Sequence, residues 1–86
     1  MKKGWKKMKK NNAYLTKDLY EGAFLYANHL KFLGLEKEEN FYWFIFEDKE
    51  SAEALSNQYW QKEAQVNAKD YAEAIRSLKD RLYARK

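Results

Sequence analysis

The run Phe41-Tyr42-Trp43-Phe44-Ile45-Phe46 constrains the fold more than any other feature of this chain. Six consecutive aromatic or β-branched residues suit a pleated strand and leave neither side of it polar. Such a strand belongs at the centre of a sheet or under cover on both faces, since elsewhere one aromatic row would stand in water. The run is far shorter than the roughly 20 apolar residues that cross a bilayer. A chain of 86 residues built around it is one domain, close to the lower size limit for a single core.

The pattern on either side supplies partners for that strand. Ala13 to Thr16 reads as a short first strand, and a helix follows. Thr16 is one candidate cap, and Asp18 with Glu21 three residues later is the other, at capping-box spacing. Leu19, Tyr20, Ala23, Phe24 and Ala27 recur at helical spacing, and Asn28-His29 closes the helix. Leu30 to Glu36 is a second strand with Gly34 as a bulge, and Lys37 to Asn40 has the length of a hairpin loop. Beyond Phe46, Ser51 is placed to cap a second helix whose stripe is Ala52, Leu55 and Tyr59. Asn67, with Asp70 three residues on, opens a third helix carrying Tyr71, Ile75, Leu78 and Leu82. The expected order is β-α-β-β-α-α: a small two-layer α+β domain, with about three antiparallel strands covered on one or both faces by three helices.

Several short blocks stand in a recognisable order: Thr16-Lys17-Asp18-Leu19-Tyr20, Phe46-Glu47-Asp48, Tyr59-Trp60, Val66-Asn67-Ala68-Lys69-Asp70-Tyr71 and Ser77-Leu78-Lys79-Asp80. Together they resemble a small bacterial and archaeal family of domains of unknown function. The resemblance covers roughly residues 14–84. It implies a compact standalone domain and brings no activity, cofactor or functional residue with it.

Charge divides the chain more sharply than its net +4 suggests. Lys2, Lys3, Lys6, Lys7, Lys9 and Lys10 fall within the first ten residues with no acid among them. The remaining chain holds eleven basic and all thirteen acidic residues, net −2. Residues 1–12 lack a core pattern and read as a flexible basic tail, which leaves 13–86 as the folded domain. No apolar stretch follows those lysines as in a secretory signal, so the expected location is the cytoplasm.

Composition removes most catalytic chemistry. There is no cysteine, hence no thiolate nucleophile, disulfide or cysteine-ligated metal. The single histidine, His29, sits at a predicted helix end, where the helix dipole gives it a structural reason to be. The glycines are isolated and form no phosphate-cradling loop. Glu38-Glu39 and Glu47-Asp48-Glu50 offer oxygen ligands but lack a calcium-loop pattern. The expectation is a non-enzymatic protein without catalytic residues, cofactor, metal or small-molecule substrate.

Two surfaces remain for function. The lysines, with Trp5 among them as a ring for base stacking, form an electrostatic footprint for nucleic acid, and Arg76 and Lys79 on the third helix extend it. The first reading is therefore a nucleic-acid-associated accessory protein making sequence-independent phosphate contacts. The competing reading starts from surplus aromatics: Tyr26, Tyr42, Tyr59, Trp60 and Tyr83 exceed what so small a core can hold. Tyr59, Trp60 and Tyr83 are then the residues expected to contact a protein partner or a second copy, with Trp60 foremost.

Overall fold

The computed structural model describes residues 12–85, so nearly all of the basic segment falls outside the described residues. The elements are β1 (Ala13–Thr16), α1 (Leu19–Ala27), β2 (Phe32–Glu38), β3 (Phe41–Glu47), α2 (Lys49–Trp60) and α3 (Ala68–Arg85). The expected order and the three-plus-three composition are both present. The strands form one antiparallel sheet in the order β1-β3-β2, which puts the aromatic strand in the centre. β1 and β2 therefore run parallel to each other on either side of β3, and α1 carries the chain across between them.

Register separates the two faces. Tyr14 lies opposite Phe46 and Thr16 opposite Phe44, while Phe32 and Leu35 on β2 meet Phe46 and Phe44. These rows face the helices. Phe44, Phe46 and Leu35 join Phe24, Leu25, Ala52, Ala74 and Leu78 in one buried cluster. α1 is the middle helix, touching β1, α2 and α3, and it is buried from Glu21 through Leu25. Gly22 faces Leu78 and Phe44, and a Cβ there would meet them at 3.5–3.7 Å, an ordinary contact distance.

The alternate rows, Ala13, Leu15, Phe41, Trp43 and Ile45, point to the opposite face, and none belongs to the helix-side core. Trp43 therefore packs outside the helix-side core, half-buried. The helices cover one face only, because the register gives Trp43 to the other. Tyr20, expected in the buried stripe of α1, is 49% exposed, since the inward-facing position of that first turn is taken by Glu21.

Local chemistry explains the element ends. The Asp18 carboxylate accepts from the backbone N–H of Tyr20 and Glu21 at 2.8 and 2.9 Å, and Asn67 does the same for Lys69 and Asp70 at 2.9 and 3.0 Å. Helix α2 starts before the expected cap. Asp48, in the left-handed region at φ 68°, accepts from the N–H and hydroxyl of Ser51, so Ser51 lies within the first turn. β2 runs two residues past Glu36, which reduces the hairpin loop to Glu39-Asn40, with Glu39 at φ 53°. Gly34 marks the bulge, at φ 145° where a side chain is disfavoured. Both α1 and α2 end without glycine. His29 (φ 73°) and Lys62 (φ 64°) take the left-handed position, and paired backbone bonds close each last turn. His29 is therefore a helix terminator, set by backbone geometry as well as by any charge effect.

Candidate interaction surface

Helices α1, α2 and α3 bring four aromatic residues together. Trp60 ends α2, and the turn at Gln61-Lys62 leads the chain away from it, so its ring is 57% exposed. It is nevertheless held in place, edge-on to Tyr59 with ring centroids 5.0 Å apart. Tyr59 in turn leans on the buried Phe24 ring at 5.7 Å. Tyr71, early in α3, donates its hydroxyl to the Tyr20 carbonyl at 3.2 Å. Its acidity is pushed down, the pKa rising to about 12, first by burial and then by the neighbouring Tyr59. The result is a continuous patch in which exposed Tyr20 and Trp60 stand beside half-buried Tyr59 and Tyr71. Rings fixed from behind lose little freedom when a partner covers them, which is why such residues dominate binding energies.

A second feature lies where β1, α1 and α2 meet. The Glu21 carboxylate, 4% exposed, accepts hydroxyl hydrogen bonds from Tyr14 at 2.6 Å, Thr16 at 2.7 Å and Ser56 at 2.5 Å. Burial, followed by the bond to Glu21, raises the Tyr14 pKa to about 12. A shallow cleft of about 300 Å³ lined by Tyr14, Glu53, Ser56 and Asn57 opens over this network. Sequence reasoning assigned Glu21 to a capping box and missed the network. A signal was present, since Glu21 precedes Phe24 and Leu25 by three and four residues and so shares their buried side. The network contains no histidine, thiol or cation to generate a nucleophile, and its hydroxyls are used in satisfying the carboxylate. Its evident role is to tie three elements together.

The remaining site residues are spread apart. Lys2, Lys3, Trp5, Lys6, Lys7, Lys9 and Lys10 lie outside the described residues. Arg76 is exposed and Lys79 half-buried, and with Lys69 and the 60%-exposed Tyr83 they recur along one flank of α3 at steps of seven, three and four. Arg81 is off that flank and lies over the Phe32 ring at 5.2 Å. Among the described residues, no group of three histidine, cysteine or acidic side chains is placed to hold a metal, and no helix is long and apolar enough to cross a membrane.

The family model for a domain of unknown function, DUF5659, matches residues 11–84, almost the whole fold just described. The chain belongs to the DUF5659 family. Comparison with curated proteins and with solved structures gave no match. The DUF5659 match includes the aromatic patch, the Glu21 network and the α3 flank, whereas Lys2 to Lys10 precede it. The lysine segment thus lies outside the part of the chain that the DUF5659 model matches.

Proposed function

We propose that the DUF5659 domain of this chain is a non-catalytic recognition module whose contact surface for a protein partner is the patch Tyr20, Tyr59, Trp60 and Tyr71. The observation that carries this reading is Trp60: a large ring more than half exposed yet fixed edge-on against Tyr59. A single exposed apolar side chain needs no explanation. An exposed tryptophan seated against Tyr59, in a patch that also holds Tyr20 and Tyr71, is the arrangement in which interface energy concentrates. The absence of cysteine and the structural placement of the single histidine favour recognition over catalysis.

The test compares the full chain with Trp60→Ala, both for self-association by sedimentation and for proteins retained from the source cell extract. Truncating a surface ring leaves stability within about 0.5 kcal/mol. A partner, or a second copy, held by the full chain and lost with Trp60→Ala supports the reading. Identical association for the two proteins removes it.

A second reading, phosphate binding by Lys2 to Lys10, is favoured by the basic flank Lys69, Arg76 and Lys79 beside the exposed Tyr83. A fluorescence-anisotropy titration with labelled oligonucleotides over a salt series tests it. Six engaged lysines give a log–log slope of about −4 to −5. Replacing them with glutamine flattens that slope, and no binding at low salt ends this reading.

A further inference from the structure

The central strand is longer than its neighbour on one edge. β3 begins at Phe41, but β1 pairs only with Phe44 to Glu47, because the chain leaves the sheet after Thr16. The Thr16 hydroxyl accepts from the Asp18 N–H at 3.1 Å, and Asp18 then caps α1, so two residues suffice to turn the chain away. Among the described residues no strand lies beside Phe41 to Trp43 on that edge. A cleft of about 270 Å³ opens at this place. Leu19 at the start of α1, Tyr42 on β3 and Leu82 near the end of α3, all half-buried, form its sides, and the buried Phe44 closes its back.

The rim of this cleft differs in charge from three others on the molecule. Those carry carboxylates: Glu47 and Asp48 beside His29, Glu53 above the Glu21 network, and Asp70 with Glu73 beside Tyr26. Here the described lining holds a lysine and no acid. The Lys17 ammonium stands 4.7 Å from the centre of the Phe41 ring, a cation–π position that keeps it at the rim although the side chain is exposed. The acid next to it in sequence, Asp18, is engaged with the N–H groups of Tyr20 and Glu21. Asn40, in the hairpin turn, lines the same rim with an amide that can donate.

We infer that this cleft binds a small free carboxylic acid with an apolar body, its ring or branched chain between Leu19, Tyr42 and Leu82 and its carboxylate on Lys17. Size argues for a small molecule. The volume lies just below the range of about 300–1,000 Å³ that holds drug-sized ligands, so one ring on a short arm fills it. Polarity argues for an acid. The walls gain by covering an apolar group, while the ammonium and the amide at the rim meet a carboxylate that stays at the edge of solvent. No residue of the cleft belongs to the patch of Tyr20, Tyr59, Trp60 and Tyr71, so the two sites are tested separately.

The test is an NMR titration of isotope-labelled full-length protein with phenylacetate, set against uncharged phenylacetamide and a Lys17→Met variant. The amide signals of Leu19, Tyr42 and Phe44 are expected to move together and saturate at millimolar phenylacetate, while those of Asn57 and Ala72 stay in place. Phenylacetamide is expected to bind about three- to fivefold more weakly, the size of one exposed charge pair. Lys17→Met is expected to weaken phenylacetate by the same factor and leave phenylacetamide unchanged. Methionine keeps an apolar stem at the rim, and an unaltered spectrum before ligand is added shows that the variant is folded. Absence of a saturable shift at the cleft overturns the inference, as do equal affinities for acid and amide. Equal shifts around Arg76 and Lys79 overturn it too, since they mark a general response to anions. So does tighter binding of a peptide ending in phenylalanine with added shifts from Phe41 to Trp43, because the occupant is then a chain terminus paired with that strand edge.

Discussion

The two faces of the sheet come from the same strands, offset by one residue, and they obey different rules. On the helix side every strand contributes bulk: Tyr14 from β1, Phe44 and Phe46 from β3, Phe32 and Leu35 from β2. On the other side β3 is also largely aromatic, with Phe41 and Trp43 beside Ile45, but β2 contributes Gly34, Glu36 and Glu38. An aromatic central strand is therefore insufficient to make a face into a core. The flanking strands decide it, because cross-strand neighbours complete or interrupt the apolar surface that a second layer needs.

The sharpest way to break this comparison is to truncate one ring on each face. Phe46, fully buried, is expected to cost about 3–5 kcal/mol as Phe46→Ala. Trp43→Ala is expected to cost about 1–2 kcal/mol, because its half-buried ring leaves less surface to re-expose. Chemical denaturation of the two variants reads the difference directly, and equal losses would mean that both faces are core.

The helix side also carries a polar staple between β1, α1 and α2. Glu21→Ala leaves the hydroxyls of Tyr14, Thr16 and Ser56 without their acceptor and is expected to cost about 1–3 kcal/mol in the same assay. Glycines sharpen the contrast further. At Gly34, on the face away from the helices, an added methyl meets nothing within 4 Å, yet φ is 145°, so Gly34→Ala is expected to cost about 1–2 kcal/mol through the backbone alone. At Gly22 the methyl makes ordinary contact with Leu78 and Phe44, and Gly22→Ala is expected to gain up to about 1 kcal/mol of helix stability.

The smallest effect is in alkaline solution. Burial keeps the Tyr14 and Tyr71 phenols neutral in the fold, with pKa values near 12 against 10 for an ordinary tyrosine. Their folded-state values are raised, so their contribution is complete below about pH 10 and is lost as pH climbs towards 12. The denaturation midpoint is expected to fall across that window. The fall should be shallower in Tyr14→Phe, and an unchanged slope would detach the Glu21 staple from the pH response.

The caps at Asp18 and Asn67 were legible in the sequence because each depends on a side chain reaching an N–H two or three residues away. The bulge at Gly34 was legible for a similar reason. The start of α2 was misplaced by three residues, since Asp48 and Ser51 are both good caps and the strand end decided between them. Trp60 was singled out by a count of surplus aromatics, but Tyr20 and Tyr71 were not, because their meeting spans 51 residues. The Glu21 network has the same character: its Ser56 donor lies 35 residues away.

What the sequence determined by itself was the kind and order of elements and the central place of β3, because periodicity and capping act over a few residues. Only the tertiary structure decided which side of that strand became core. A strand with large rings on both sides carries no local preference, and the choice falls to the register with β1 and β2 and to the face on which α1 crosses.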